Sequence, residues 1–196
     1  MKNISVPDHS DALDYPMGDF KKILVSEEEI KGIICRIANE INAHYKDRRL
    51  LVCGILKGAF IFASDLIRQI KIPLEVTFIK ASSYGKNSVS QGNIKVIEFS
   101  DLEDYSSFDI LVVDDILDSG NTLCHLKEYL KNKGFENIDF CAFLDKPERR
   151  EKDIDVKYIG KRIENEFAVG YGLDFGEKYR NLPFVAALDE KVYAKK

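Results

Sequence analysis

ILVVDDILDSGNTL, from Ile110 to Leu123, runs from four apolar residues into two acids, two more apolar residues and then Asp-Ser-Gly-Asn-Thr. Consecutive branched apolar residues fit a strand covered on both faces, and the small polar residues after it read as a loop turning into a helix. Strand, loop and helix in that order make half of a βαβ unit, so this stretch argues for a parallel sheet. Successive strand residues face opposite ways, which sets Asp114 and Asp115 on different faces and leaves Asp118 beyond the strand end. A turn such as Ser119–Thr122 aims backbone N–H groups and hydroxyls at one point, where the helix dipole also favours an anion. A helix cap with solvated acids is the plainer reading of Asp-Ser-Gly alone. Against it, ionised groups at the end of a buried strand are costly unless they are hydrogen-bonded or hold a ligand.

Working outward, Ser26 and Glu29 form a capping box ahead of Ile30, Ile33, Ile34, Ile37 and Ile41, and this spacing predicts a helix over about 26–47. LLVCGIL (50–56) reads as a buried strand that breaks at Gly58 into the helix AFIFASDLIRQI, which stops before Pro73. LEVTFIKASSY (74–84) is another strand. GKNSVSQGN (85–93) has only Val89 to bury and is expected to be a mobile loop. IKVIEF (94–99) precedes the central stretch, whose helix closes at Gly134. DFCAFLDK (139–146), VKYIG (156–160), EFAVGYGLDF (166–175) and FVAALDE (184–190) supply the remaining strands. This alternation predicts an α/β fold, a mainly parallel twisted sheet with helices on both faces. Residues 1–20, with Pro7, Pro16 and several acids, read as an N-terminal arm ahead of a single domain over 21–196.

Composition narrows the partners. A chain of 196 residues with 45% hydrophobic content suits one domain, and a chain of that size buries roughly 70% of its unfolded surface. Lys+Arg 29 against Asp+Glu 33 leaves a net charge of −4, which gives no general attraction to nucleic acid or an anionic membrane. Cys35, Cys53, Cys124 and Cys141 lie in apolar segments without a C-x-x-C pair, so they read as reduced core thiols. No run approaches the length of a membrane span, and a cytoplasmic protein is expected. The Walker pattern is absent, and GYGLDFG (170–176) misses the dinucleotide spacing by one.

The acid pair, two apolar residues and Asp-Ser-Gly-x-Thr together resemble the phosphoribosyl pyrophosphate (PRPP) signature of the type I phosphoribosyltransferases. GILKGAFIFASDLI, FIKASSYG, LDKPERR and EFAVGYGLDFGEKYRNLPFV, in that order, extend the resemblance to the hypoxanthine-guanine phosphoribosyltransferase family from about residue 20 to the end. The resemblance implies the type I fold with a small hood region. It also implies transfer of the phosphoribosyl group from PRPP to a 6-oxopurine, with Mg²⁺ as cofactor and a homodimer or homotetramer as the assembly. Residue by residue, it assigns Asp114 and Asp115 to ribose hydroxyls or the metal, and Asp118 to the proton on purine N7. Ser119, Gly120, Asn121 and Thr122 would hold the 5′-phosphate. Leu56, Lys57 and Gly58, with a non-proline cis peptide, would meet pyrophosphate together with Arg180. Lys146 would donate to the 6-oxo group, Phe167 would stack on the base, and the backbone of Ala168 would read its edge. Asp174 would be a metal ligand, and Ser83 and Tyr84 would form a lid. Two departures stand out: Ala59 replaces a common glycine, and Asn121 sits where some members carry lysine.

Taken singly, Lys57, Asp174 and Arg180 pass as solvated charges and Phe167 as core. A nucleotide-sensing regulator that binds RNA or DNA is the competing class, but it would need a basic face that the composition does not favour. A xanthine-preferring enzyme stays open, because hypoxanthine, guanine and xanthine share the 6-oxo group and differ at C2.

Overall fold

The computed structural model describes residues 17–83, 94–98 and 102–194. In chain order its elements are β1 (Phe20–Val25), α1 (Glu27–His44), β2 (Leu50–Leu56), α2 (Phe60–Gln69), β3 (Leu74–Ser83), β4 (Ile94–Glu98), β5 (Asp109–Leu117), α3 (Asn121–Asn132), β6 (Ile138–Asp145), β7 (Tyr158–Arg162), β8 (Ala168–Val169), β9 (Val185–Leu188) and α4 (Glu190–Tyr193). Six strands form the main sheet in the order β4-β3-β2-β5-β6-β7. All its pairings are parallel except β3 with β4, an antiparallel edge.

Both faces of this sheet are apolar, which is why its central strands read as continuous hydrophobic runs rather than alternating ones. On one face Ile34, Ile37 and Ile41 of α1 and Phe62 and Leu66 of α2 pack over Val52, Leu111 and Val113. On the other, Leu123, Leu126 and Leu130 of α3 cover Cys53, Ile110 and Val112. Full burial of each such side chain contributes about 1.5–3 kcal/mol. The capping box at Ser26 and Glu29 is present, with Ser26 Oγ accepting from the Glu29 N–H at 3.2 Å.

From β2 the chain passes to β3 on one side, whereas β5 pairs with β2 on the other. The carboxyl ends of β2 and β5 therefore flank a point where the strand order reverses, the place where open α/β sheets bind ligands. A second, three-stranded antiparallel sheet, β1-β9-β8, forms the small appended region. It is tied to Asp19, which accepts from the Tyr179 hydroxyl at 2.9 Å and from the Asp189 N–H at 2.8 Å.

Several expectations need correction. The segment 166–175 keeps only Ala168–Val169 as strand, because Gly170, Tyr171 and Gly172 take φ values of +100°, +49° and +101° and turn the chain. A Cβ on Gly170 would lie 2.2 Å from the Phe184 carbonyl oxygen, so glycine is required there. Strand β1 and helix α4 have no counterpart in the sequence reading. Cys53 and Cys141 are core thiols, but Cys35 is exposed and Cys124 half-buried. The cause is the α1 period, which turns Ile34, Ile37 and Ala38 inward and Cys35 outward. Tyr84, the loop 85–93 and residues 1–16 lie outside the described residues. Among the described residues no helix is long and apolar enough to cross a membrane.

Candidate active site

The carboxyl ends of β2 and β5 bring Lys57 and Gly58 against the acids. The Leu56–Lys57 peptide is cis. A Cβ built on Gly58 would fall 1.7 Å from Asp115 Oδ2, and one on Gly172 would fall 2.1 Å from the Gly58 carbonyl oxygen. Three segments distant in sequence therefore meet at a glycine that leaves room for a carboxylate. Gly58→Ala forces that carboxylate aside and is expected to cost about 1–3 kcal/mol, as for other overpacked sites. Urea denaturation checks the stability, and a raised KM for PRPP checks the site.

The alternation of β5 fails where the acids sit. Val113 and Ile116 both pack on the α1–α2 face, with Leu117 on the other. The Asp115 N–H donates to Asp114 Oδ1 and the Ile116 N–H to Asp115 Oδ1, each at 3.0 Å, around Asp115, the one residue skipped in the register of this strand with β6. The opposite-face argument is thus too strict, since the two carboxyls interact. Burial raises Asp114 well above the usual carboxylate range, and the charge of Asp115 adds to the effect. Burial also raises Asp115, opposed by hydrogen bonding from Asp114 and by the positive charge of Arg180.

These directions carry a stability prediction. An acid whose folded pKa is raised imposes no penalty below its unfolded value of 3.8 and a growing one above it, up to the folded pKa. Asp114→Asn removes that penalty. It is expected to stabilise the ligand-free protein by roughly 0.5–2 kcal/mol at pH 7 while weakening PRPP binding. The gain should shrink toward zero as pH falls below the unfolded value; an equal gain at acid and neutral pH would contradict the buried-charge account.

Asp118 follows β5. Its Oδ1 lies 3.0 Å from Arg149 Nε, yet outside hydrogen-bond geometry, and it is a buried oxygen without a hydrogen-bond partner. The Asp118 carbonyl accepts from Arg150 Nη1 at 2.9 Å. Arg150 also pairs with Asp145, which is 3% exposed and lies 3.3 Å from Arg162 Nε. Arg150 thereby ties the end of β6 to the loop after β5.

Gly120 caps α3 with φ +85° and no side-chain cap of its own, leaving the first-turn N–H groups after Asn121 for an outside acceptor. A Cβ there would meet the Lys152 carbonyl oxygen at 2.5 Å. Ser119 Oγ accepts from the Asn121 N–H at 3.3 Å, and Asn121 Nδ2 donates to Glu151 at 2.7 Å. Thr122 lies in the first turn of the helix.

Lys146 is 7% exposed. Burial lowers its pKa, and the charge of Asp118 partly offsets this. Phe167 is 40% exposed. Its ring stacks on Tyr193 at 5.3 Å and meets Phe175 edge-on at 5.6 Å. Ala168 is buried beside it in β8 and pairs with Ala187. Asp174 Oδ1 lies 2.8 Å from Arg180 Nη2. Among the described residues no three His, Cys, Asp or Glu side chains form a metal cluster. Ser83 ends β3, paired with Ile94.

Asp145, Arg149, Arg150, Glu151, Glu177 and Tyr193 were missing from the sequence reading. The run PERRE after Lys146 was the available signal for three of them, since so many charges beside a buried strand end need partners.

A phosphoribosyl transferase domain model matches residues 22–176. A hypoxanthine-guanine phosphoribosyltransferase of Staphylococcus epidermidis is 42% identical over 178 residues, covering 90% of this chain and 98% of that protein. A hypoxanthine phosphoribosyltransferase crystal structure from Staphylococcus aureus superposes with a TM-score of 0.83 at 39% identity, covering 90% of this chain and 95% of that one. A hypoxanthine-guanine phosphoribosyltransferase from Bacillus anthracis, with a HEPES molecule in its active site, gives a TM-score of 0.80 at 40% identity, covering 87% and 99%. This chain belongs to the phosphoribosyl transferase family and, within it, to the hypoxanthine-guanine phosphoribosyltransferases.

Proposed function

We propose that this protein transfers the 5-phosphoribosyl group from PRPP to hypoxanthine or guanine, releasing pyrophosphate, through a single domain over 21–196. The observation that carries the reading is Asp118 Oδ1, a buried carboxylate oxygen without a hydrogen bond. It lies between an open helix N-terminus and a buried lysine, so a proton acceptor, an anion site and a cation meet at one strand end.

In this reading the N–H groups of 119–122 hold the 5′-phosphate, and Asp114 and Asp115 hold the ribose. Phe167 supplies a stacking face, Lys146 donates to the 6-oxo group, and Asp118 takes the N7 proton as the base bonds to C1. Lys57 and Arg180 hold the leaving pyrophosphate.

Mg²⁺ fits this donor set: it keeps several waters and binds through one or two carboxylates plus substrate phosphates, so Asp174 needs no protein cage around it. When bound, it neutralises charge developing on pyrophosphate. The four free thiols support a reducing, cytoplasmic setting, and assembly as a homodimer or homotetramer belongs to the same reading.

The test is pyrophosphate release from PRPP and Mg²⁺ with each of hypoxanthine, guanine, xanthine and adenine. Turnover with hypoxanthine or guanine is expected. Release with none of the 6-oxopurines would overturn the proposal, and release with xanthine alone would correct the base.

A further inference from the structure

Glu177 sits between the two cations that the proposed function gives to pyrophosphate. Its Oε1 lies 3.1 Å from Lys57 Nζ and its Oε2 lies 3.1 Å from Arg180 Nη2. One carboxylate thus uses both oxygens to span two positive groups, as a bridging phosphoryl group would. Arg180 is further engaged, with Nη2 on Asp174 at 2.8 Å and Nη1 on the Gly172 carbonyl at 2.7 Å. The Glu177 N–H donates to Asp174 Oδ2 at 2.9 Å. The charged groups around Lys57 therefore neutralise one another.

The turn that presents Glu177 is a second, independent sign. Phe175 and Lys178 exchange backbone hydrogen bonds at 3.2 Å, and the two residues between them, Gly176 and Glu177, have φ +60° and +68°. A two-residue hairpin with both central residues left-handed favours glycine at the second of them. Here that position carries a long anionic side chain at the expense of backbone strain. The fold does not require a carboxylate there, since the side chain is 65% exposed.

We propose that Glu177 is an internal counter-anion of the pyrophosphate site, which holds Lys57 and Arg180 in place while the site is empty and has to leave them for pyrophosphate to bind. The inference rests on the reading of Lys57 and Arg180 as pyrophosphate contacts. Glu177 cannot stay, because pyrophosphate would set several more negative charges against it. It can leave readily: Lys57 and Glu177 are 57% and 65% exposed, and exposed ion pairs are weak, while Arg180, 19% exposed, keeps Asp174 and the Gly172 carbonyl as partners when Glu177 departs. The carboxylate therefore competes with the ligand for both cations, which weakens pyrophosphate binding and speeds its departure as product.

The experiment is calorimetric titration of magnesium pyrophosphate into the full-length protein and into Glu177→Gln and Glu177→Gly. Glutamine keeps the shape and loses the charge; glycine also relieves the turn, so misfolding cannot explain a shared result. Both are expected to bind pyrophosphate more tightly, by about two- to ten-fold, the range set by one exposed pair with Lys57 and one partly buried pair with Arg180. Product inhibition by pyrophosphate should strengthen to match. Unchanged or weaker binding in both variants overturns the proposal. Lys57→Ala and Arg180→Ala serve as the reference. If they weaken pyrophosphate binding while the Glu177 variants do not tighten it, only the counter-anion role fails. If they leave binding unchanged, the assignment of the site itself is wrong.

Discussion

Asp118→Ala is expected to lower kcat by about 10²- to 10⁴-fold, the usual contribution of a general acid–base group, with PRPP binding nearly intact. The expectation follows from how this carboxylate is held. Its backbone carbonyl is fixed by Arg150 at 2.9 Å, while its buried Oδ1 has only the misaligned Arg149 contact at 3.0 Å. The side chain is thus positioned by its main chain and left open to accept a proton. Asp115→Ala should act differently, through PRPP binding, because Asp115 contacts the Gly58 turn rather than the base side. Stopped-flow or steady-state kinetics with hypoxanthine separate the two. Turnover by Asp118→Ala within a few-fold of the unmodified protein would contradict the proton-transfer role.

The second large effect concerns base choice. A buried ammonium at Lys146 offers donors to a 6-oxo group, whereas the 6-amino group of adenine would present its own N–H donors and leave a desolvated charge unpaired. Rejection of adenine by roughly 10³-fold or more in kcat/KM is expected, as in sites that exclude a substrate lacking the required hydrogen-bonding group. Lys146→Ala should raise KM for hypoxanthine and narrow the gap to adenine. Phe167→Ala should weaken every purine together, since stacking does not read the 6-position. Burial lowers the Lys146 pKa, so in the ligand-free protein its charge is lost at a lower pH than that of a free lysine. Hypoxanthine binding should accordingly fall earlier on the alkaline side than an exposed lysine would allow. Efficient use of adenine by the unmodified protein would show that Lys146 has another task.

Local chemistry made much of this legible in the sequence. The run 110–123 carries strand, acids, loop and helix start within one segment, and its βα reading matches β5 and α3 within a residue or two. The capping box fixed the start of α1 for the same reason. What escaped depends on distant partners. Glu177 meets Lys57 across 120 positions, and the Tyr179 hydroxyl meets Asp19 across 160. Strand β1, FKKILV, is largely exposed along its middle, so its periodicity is faint and its pairing with β9 supplies the definition. The segment 166–175 misled in the other direction. Its apolar content reads as a strand, but the positive φ angles at Gly170, Tyr171 and Gly172 make it the loop that closes on Gly58. Asp114 and Asp115 show the same limit on a smaller scale, because hydrogen bonds from neighbouring backbone N–H groups to their own carboxyls broke the alternation used to separate them.

The most direct measurement is a crystal structure of the protein with saturating IMP, Mg²⁺ and pyrophosphate. The expected result places the 5′-phosphate on the N–H groups of 119–122, the 6-oxo oxygen within hydrogen-bond distance of Lys146 Nζ, and purine N7 facing Asp118. A 5′-phosphate bound elsewhere, with the 118–122 loop empty under saturating ligand, would contradict the assignment of this crevice as the site of phosphoribosyl transfer.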